Sequence, residues 1–371
     1  MLSISIPKEE RYRGSIERRV PLTPAGVKEL NEYGVKIYIE KDVGKDLGFS
    51  DEEYTHAGAQ IVFSKEEAFK RGDIVLKISP PKEEEIDLLS EGQTVFSFQD
   101  IFIVPKKIIE KYIQKKLTVI GFEGIEEKGI YPVLRISSEI AGKLAPQIAG
   151  RYLEITRGGL GILIGGLTGI PPADVVIVGG GTLGYYAARS FLGLGATVYI
   201  LDVNTRRLEE IDLLFDGRVI TAYATAKNIE KFVSFAEVLI GAVQIPGERA
   251  PIVIKREMLK KMRDGGVFID FSIDRGGCSE TSRPTPDETY VYKEEGIIHF
   301  CVPNVPSFVA RTASHGINNA IIPYLKEMAK KGIEKTIFEN PAIYKGTYIK
   351  NGKFIRKYTW AEGFPVEEIK I

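Results

Sequence analysis

One stretch constrains this chain more than any other. The apolar run Val175-Val176-Ile177-Val178 passes directly into Gly179-Gly180-Gly181-Thr182-Leu183-Gly184, and a helical pattern over residues 185–194 follows without a break. The first of the spaced glycines, Gly179, permits a tight turn. The second, Gly181, lets a phosphate approach the backbone, and the third, Gly184, lets the helix pack closely on the strand, while the helix N-terminus favours an anion. The next strand pattern ends at Asp202, about 20 residues on, where a carboxylate accepts hydrogen bonds from an adenosine ribose. Strand, glycine turn, helix and acidic residue together read as a dinucleotide site. Asp202 argues for NAD over NADP because it repels a 2′-phosphate; Arg206 and Arg207 nearby weaken that preference without reversing it.

The same alternation of strand and helix runs through the rest of the 371 residues, a length that suggests two domains. In the first third, strands are expected over residues 2–6, 35–40, 60–63, 73–78, 93–98 and 117–122. Thr23-Pro24 opens a helix that Gly34 closes, and Ser50 with Glu53 and Ser64 with Glu67 form capping boxes. A long helix is expected from Ser138 to about Ile155, and a glycine-rich link leads into further strands over 175–178, 197–202, 218–223, 238–243, 267–273 and 296–302. An amphipathic helix over Ala310–Lys331 follows, and then a hairpin turning on Asn351-Gly352, a dipeptide suited to a type I′ turn. The fold class is therefore α/β: two doubly wound, Rossmann-like lobes with mainly parallel sheets and an active-site cleft between them. The chain is expected to return to its first lobe at its end.

Composition excludes other classes. Fifty basic and fifty acidic residues leave a formal charge of zero, which gives no field to hold a phosphate backbone and argues against a nucleic-acid partner. Hydrophobic residues at 44% suffice for two cores. The run over 158–173 is too short and too broken by glycine and proline to span a bilayer, and the start lacks the pattern of a signal peptide. The two cysteines read as reduced, packed thiols in a cytoplasmic chain. None of the three histidines has a second ligand at metal spacing, so no metal is expected.

Three further positions are candidates for chemistry. Asp274, in Phe271-Ser272-Ile273-Asp274-Arg275-Gly276-Gly277-Cys278, follows a strand of the nucleotide lobe. There it serves either as a ligand at the strand ends or as a cap for the two glycines. Lys77 ends the buried-looking run Ile74-Val75-Leu76, an unusual place for a residue rarely buried. Arg19 precedes Val20-Pro21-Leu22-Thr23-Pro24, where a guanidinium can hold a carboxylate through two bonds, although surface arginines are commoner.

Together, several segments resemble the alanine dehydrogenases, within the group that also holds the pyridine nucleotide transhydrogenases. They are Ile6-Pro7-Lys8-Glu9 with Arg19-Val20-Pro21-Leu22-Thr23-Pro24-Ala25-Gly26-Val27, Val75-Leu76-Lys77, Ser138-Glu139-Ile140-Ala141-Gly142, Gly179 to Gly184, and Ile240-Gly241-Ala242-Val243. Ile273 to Cys278, Ser282-Arg283-Pro284-Thr285 and Cys301-Val302-Pro303-Asn304 complete the set. Residues 206–216 and Gln244-Ile245-Pro246-Gly247 resemble the amino-acid dehydrogenase branch. The resemblance implies reversible oxidative deamination of L-alanine to pyruvate and ammonia with NAD. It implies that Arg19 binds the substrate carboxylate, that Lys77 binds substrate and polarises its carbonyl or imine, and that Asp274 orients or activates water and ammonia. Ser138, Asp202 and Asn304 would contact cofactor. A discontinuous substrate domain of residues 1–137 and 305–371, an NAD-binding domain of residues 138–304 and a homohexamer are implied as well.

One position departs from the family. Where the resemblance places a catalytic histidine, this chain has Asp100, in Phe98-Gln99-Asp100-Ile101. Asp100 is expected to pair with a cation, Lys77 or a substrate ammonium, because ion pairing costs less than burying a lone carboxylate. The competing functions are a dehydrogenase of the opine or saccharopine type, which joins an oxo acid to a larger amine, a non-catalytic nicotinamide-binding protein, and a transhydrogenase subunit.

Overall fold

The computed structural model describes every residue except 13, 246, 287, 288 and 369–371; Pro246, in the Gln244–Gly247 stretch that pointed to the amino-acid dehydrogenase branch, thus lies outside the described residues. The chain divides into two compact units, one comprising Met1–Tyr12, Ile16–Ile136 and Ser307–Ile371 and the other centred on Ser137–Pro306.

Among the described residues, the first unit is built on an eight-stranded sheet in the spatial order Lys353–Phe354, Thr347–Lys350, Thr118–Gly121, Thr94–Ser97, Ile74–Leu76, Ser3–Ile6, Lys36–Glu40, Gln60–Val62. Six strands run parallel, and the two from the chain's end add antiparallel to that edge. The chain moves outward from Ser3–Ile6 to one side, then returns to its other side with Ile74–Leu76. Strand order therefore reverses between those two strands, which is where open α/β sheets leave a crevice at their carboxyl ends.

The helix Ala310–Lys331 closes one face of this sheet. It buries Ala313, Ile317, Ile321, Leu325 and Met328, a spacing of three and four that aligns one stripe with the core. The helix Pro24–Asn31 packs against it so closely that a Cβ on Gly26 would stand 1.9 Å from Asn318 Oδ1. Thr23 caps that helix by accepting from the Gly26 N–H, as the Thr-Pro pair predicts. Ser50 and Glu53 form the complete reciprocal box; at Ser64 the hydroxyl accepts from Glu67 N–H. Asn351 and Gly352 both take positive φ, +49° and +74°, as the type I′ turn demands.

The second unit holds a seven-stranded sheet in the order Val219–Tyr223, Thr197–Asp202, Asp174–Val178, Val238–Gly241, Val267–Asp270, Ile297–Phe300, Val291–Glu294. All pairs are parallel except the last, and the order reverses beside Asp174–Val178. Its central strands Asp174–Val178, Val238–Gly241 and Val267–Asp270 are almost wholly buried apolar runs, as strands covered on both faces must be, whereas the edge strands Val219–Tyr223 and Val291–Glu294 are half-exposed.

Two boundaries correct the sequence reading. The long helix spans Pro132–Leu153, starting before Ser138 because Pro132 suits a first helical turn, so Ser138 sits in the helix body. The strand expected over 267–273 ends at Asp270, whose side chain accepts from Ser272 N–H and starts the 3₁₀ turn Phe271–Arg275. Among the described residues, no helix is long and apolar enough to cross a membrane.

Candidate active site

In the first unit, the carboxyl ends of the two strands flanking the reversal carry a cluster of buried charge. Lys77 directly follows Ile74–Leu76, and its backbone N–H continues the sheet by donating to Phe96 O at 3.1 Å. Its ammonium stands 3.2 Å from Glu9 and 3.7 Å from Glu85, with all three side chains at 4% exposure or less. Glu9 comes from the segment after Ser3–Ile6 and is fixed by the Ile78 N–H, which donates to it at 2.5 Å. Burial pushes the Glu9 carboxyl up to about 7; Lys77 opposes this, and the charges of Glu17 and Glu85 add to it. Burial pulls the Lys77 ammonium down, but Glu9 and Glu85 outweigh it and hold lysine above its ordinary value. Lys77 is therefore a fixed, permanently charged cation at neutral pH.

Arg19 is 5% exposed and makes two bonds to Glu17, Nε to Oε1 at 2.8 Å and Nη2 to Oε2 at 2.7 Å. Glu17 thus takes one edge of the guanidinium and fixes its plane, with the ring of Phe98 5.8 Å away. The backbone around Arg19 is held from the far end of the chain. Ser307 Oγ accepts from Arg18 N–H and donates to Ile16 O, Ser314 Oγ accepts from Val20 N–H at 2.9 Å, and Asn318 accepts from Thr23 N–H at 3.1 Å.

Asp100 does not pair with Lys77, whose ion-pair partners are Glu9 and Glu85. Its backbone, in the left-handed region at φ +41°, donates instead to Glu123 at 2.9 Å. The expectation of a Lys77–Asp100 pair fails because two nearer carboxylates saturate the ammonium. Glu9, Glu17, Glu85 and Glu123 are the residues that sequence reasoning missed. Glu9 was in plain view within Ile6-Pro7-Lys8-Glu9, but in sequence nothing distinguishes a buried glutamate from the many exposed ones.

In the second unit, the glycine turn has the geometry a diphosphate requires. Gly179 sits at φ +111°, where a Cβ would stand 2.3 Å from Ala242 O, and a Cβ on Gly184 would stand 2.0 Å from Gly179 O. Gly181, by contrast, faces open space with nothing within 4 Å. It precedes the helix Thr182–Gly193, whose first turn has no side-chain cap, so its opening N–H groups suit an anion. Asp202 is oriented by accepting from Gly180 N–H at 2.6 Å and Asn204 N–H at 2.8 Å. Arg207 is committed elsewhere, with Nε on Gly180 O at 2.6 Å and Nη1 on Glu210 at 2.8 Å. These residues fit a dinucleotide. Thr182 and Leu183 lie in the first helical turn, half-buried.

Asp274 and Asn304 come together: Asp274 Oδ1 accepts from Asn304 N–H at 2.9 Å, with Asn304 at φ +59°. The N–H groups of Gly276 and Gly277 donate to Ile273 O and Ser272 O, and the buried Asp270 braces the end of this turn by accepting from Cys278 N–H at 2.8 Å and Ser282 Oγ at 2.5 Å. Ser272 ties the ends of two strands by accepting from Val243 N–H and donating to Val243 O. Cys278 and Cys301 are buried, and burial pushes Cys301 up to about 12, so neither is a nucleophile at neutral pH.

Known proteins match over nearly the full length. Residues 5–141 match the model of the alanine dehydrogenase/PNT N-terminal domain, and residues 145–357 that of the C-terminal domain. An alanine dehydrogenase of Methanococcus maripaludis is 41% identical over 353 residues, 94% of this chain and 93% of that one. One from Staphylococcus saprophyticus is 40% identical, with 95% of each chain covered. Among solved structures, an L-alanine dehydrogenase superposes with a TM-score of 0.88 at 37% identity, covering 96% of this chain and 97% of that one. A transhydrogenase from Sinorhizobium meliloti, at 22% identity and a TM-score of 0.79, shares the fold. With both domain models matched in order and these identities across the chain, this protein belongs to the alanine dehydrogenase/PNT family.

Proposed function

We propose that this protein is an alanine dehydrogenase, interconverting L-alanine with pyruvate and ammonia, and that its cofactor is NAD. The observation that carries the reading is Lys77, a fully buried cation held by two carboxylates at the strand reversal of the first unit, in a chain of this family. A cation fixed there stabilises negative charge developing on a carbonyl oxygen without having to reorganise. Arg19, its plane set by Glu17, binds the substrate carboxylate, and Asp274 activates water or ammonia. When bound, NAD accepts the hydride from the α-carbon in the deaminating direction. Gly179, Gly181, Thr182, Leu183 and Gly184 hold its diphosphate, Asp202 its ribose, and Ser138 and Asn304 its remaining contacts. Preference for NAD is supported by the oriented Asp202 carboxylate and by Arg207's engagement with Gly180 and Glu210. Residues 1–137 with 305–371 form the substrate domain and residues 138–304 the NAD domain of a cytoplasmic homohexamer.

Asp100 favours a second reading, in which the amine is larger than ammonia and its cation meets a carboxylate. NADH oxidation with pyruvate and ammonia, run beside glyoxylate, 2-oxobutyrate and 2-oxoglutarate and repeated with lysine or ornithine as amine, separates the two. Turnover with pyruvate and ammonia that falls strongly in Lys77→Ala supports the first reading. Turnover only with a diamine supports the second, and tight NADH binding without turnover on any substrate overturns both.

A further inference from the structure

Lys77 is the inner end of a chain of alternating charges that runs outward to solvent. Its second partner, Glu85, is 1% exposed and belongs to the helix Glu83–Leu88. Glu85 Oε2 accepts from Lys82 N–H at 2.9 Å, which fixes the carboxylate in the first helical turn, and it stands 3.7 Å from the Lys77 ammonium. The other oxygen, Oε1, is buried and makes no hydrogen bond of normal geometry among the described residues, but the Lys65 ammonium lies 3.1 Å from it. Lys65 opens the helix Lys65–Lys70, which also sets the buried ring of Phe69 5.8 Å from the Lys77 ammonium. Outside Lys65 comes Glu10, and then Lys82, whose ammonium bonds Glu10 at 2.6 Å. Glu9 and Glu10 are neighbours in sequence, yet one turns inward to Lys77 and the other outward to Lys65 and Lys82.

We propose that Lys65 is a positioning residue for Lys77: by compensating Glu85 from its far side, it leaves the Lys77 charge uncancelled toward the substrate oxygen. The inference rests on the reaction proposed above. With both carboxylates ionised, Lys77, Glu9 and Glu85 together carry one negative charge in excess. Such a set opposes negative charge developing on a carbonyl oxygen beside it. Lys65 brings the set to neutrality. Glu85 also leans toward Lys65, at 3.1 Å against 3.7 Å to Lys77, so its pull on the catalytic ammonium is the weaker of the two. Burial pulls the Lys65 ammonium down, but Glu10 and Glu85 outweigh it and keep the compensating charge in place at neutral pH. Lys82 is one carboxylate further out, where water screens it.

NADH oxidation with pyruvate and ammonia, beside thermal melts of the same proteins, tests this. Lys65→Met should lower kcat by about tenfold, the scale of one unit charge acting across a single intervening carboxylate. KM for pyruvate should stay within about twofold, because charge on the oxygen develops mainly in the transition state. Lys65→Arg should restore kcat. Adding Glu85→Gln to Lys65→Met should restore most of it too, since the double variant regains its charge balance and glutamine still accepts from Lys82 N–H. A purely structural loss would instead deepen with the second substitution. Lys82→Met removes an equal charge further out and should leave kcat within about twofold.

The melts read the same coupling without substrate. Lys65→Met should lower Tm, and adding Glu85→Gln should recover part of that loss, because a buried carboxylate without compensation is costly. Unchanged kcat in Lys65→Met, an equal loss in Lys82→Met, or a double variant below Lys65→Met in kcat or Tm overturns the proposal. Should Glu85→Gln fold poorly, Lys65→Met and Lys65→Arg decide the matter by themselves. Coupling in Tm without turnover of the wild type on any oxo acid overturns the proposed reaction and leaves the compensation of Glu85 standing.

Discussion

Replacing Glu9 by glutamine should make the protein more stable at pH 8 while impairing its chemistry. In the folded state, burial holds the Glu9 carboxyl at about 7, against an ordinary value of 4.5 in the unfolded chain. A raised carboxyl binds its proton more tightly folded than unfolded. Its contribution to stability is therefore complete below pH 4.5 and is lost as pH rises through 7. At about 1.4 kcal/mol per pH unit, the wild type loses about 3 kcal/mol across that window, and glutamine, which does not titrate, loses none. Urea unfolding of both proteins at pH 5, 6, 7 and 8 should therefore show the difference swinging by about 3 kcal/mol in favour of the variant as pH rises. Lys77 meanwhile loses the carboxylate 3.2 Å away and keeps only Glu85, at 3.7 Å, of the two described here. Its ammonium becomes easier to deprotonate, and kcat should fall most at alkaline pH. Parallel stability profiles for the two proteins would refute the assignment of a buried, near-neutral Glu9.

Three more outcomes follow from the same geometry. Gly181→Ala should fold with an unchanged Tm yet weaken NADH binding, because its methyl enters open space at the helix N-terminus, whereas Gly184→Ala meets backbone at 2.0 Å and should lower both; fluorescence titration beside thermal melts distinguishes them. Asp202→Ala should lower the NADH-to-NADPH ratio of kcat/KM by about tenfold, the equivalent of about 1.4 kcal/mol, through loss of a ribose acceptor and of a repulsive charge. Gly26→Ala drives a Cβ to 1.9 Å from Asn318 Oδ1, which is fixed by Thr23, and should cost about 1–3 kcal/mol of stability in denaturant melts; it should also raise KM for the amino acid, since the Val20–Thr23 segment moves with it.

The nucleotide unit was legible because its information is local. Val175 to Gly184 is strand, turn and helix start in one uninterrupted stretch, and backbone sterics alone require glycine where φ is +111° or where a neighbour stands 2.0 Å away. Period and punctuation likewise located most strands, the Thr23-Pro24 helix start and the Asn351-Gly352 turn. The start of the long helix escaped because Ser138 has the composition of a cap while Pro132, further back, does the opening.

What no local pattern contains is which charges meet. Lys77, Arg19 and Asp100 could be singled out one at a time, yet their partners Glu9, Glu17, Glu85 and Glu123 look in sequence like any exposed glutamate. The sheet brings the end of Ser3–Ile6 beside the end of Ile74–Leu76, and so sets Glu9 against Lys77 across 68 residues of chain. The antiparallel return of Thr347–Lys350 brings Tyr348 onto Glu123, and the helix Ala310–Lys331 brings Ser314 and Asn318 onto the backbone beside Arg19. Sequence by itself determined the fold class, the glycine turn and the residues able to do chemistry. Tertiary structure decided their charge states, because a carboxyl's proton affinity depends on the water removed around it and on the charges packed against it, and both are set only when distant segments close.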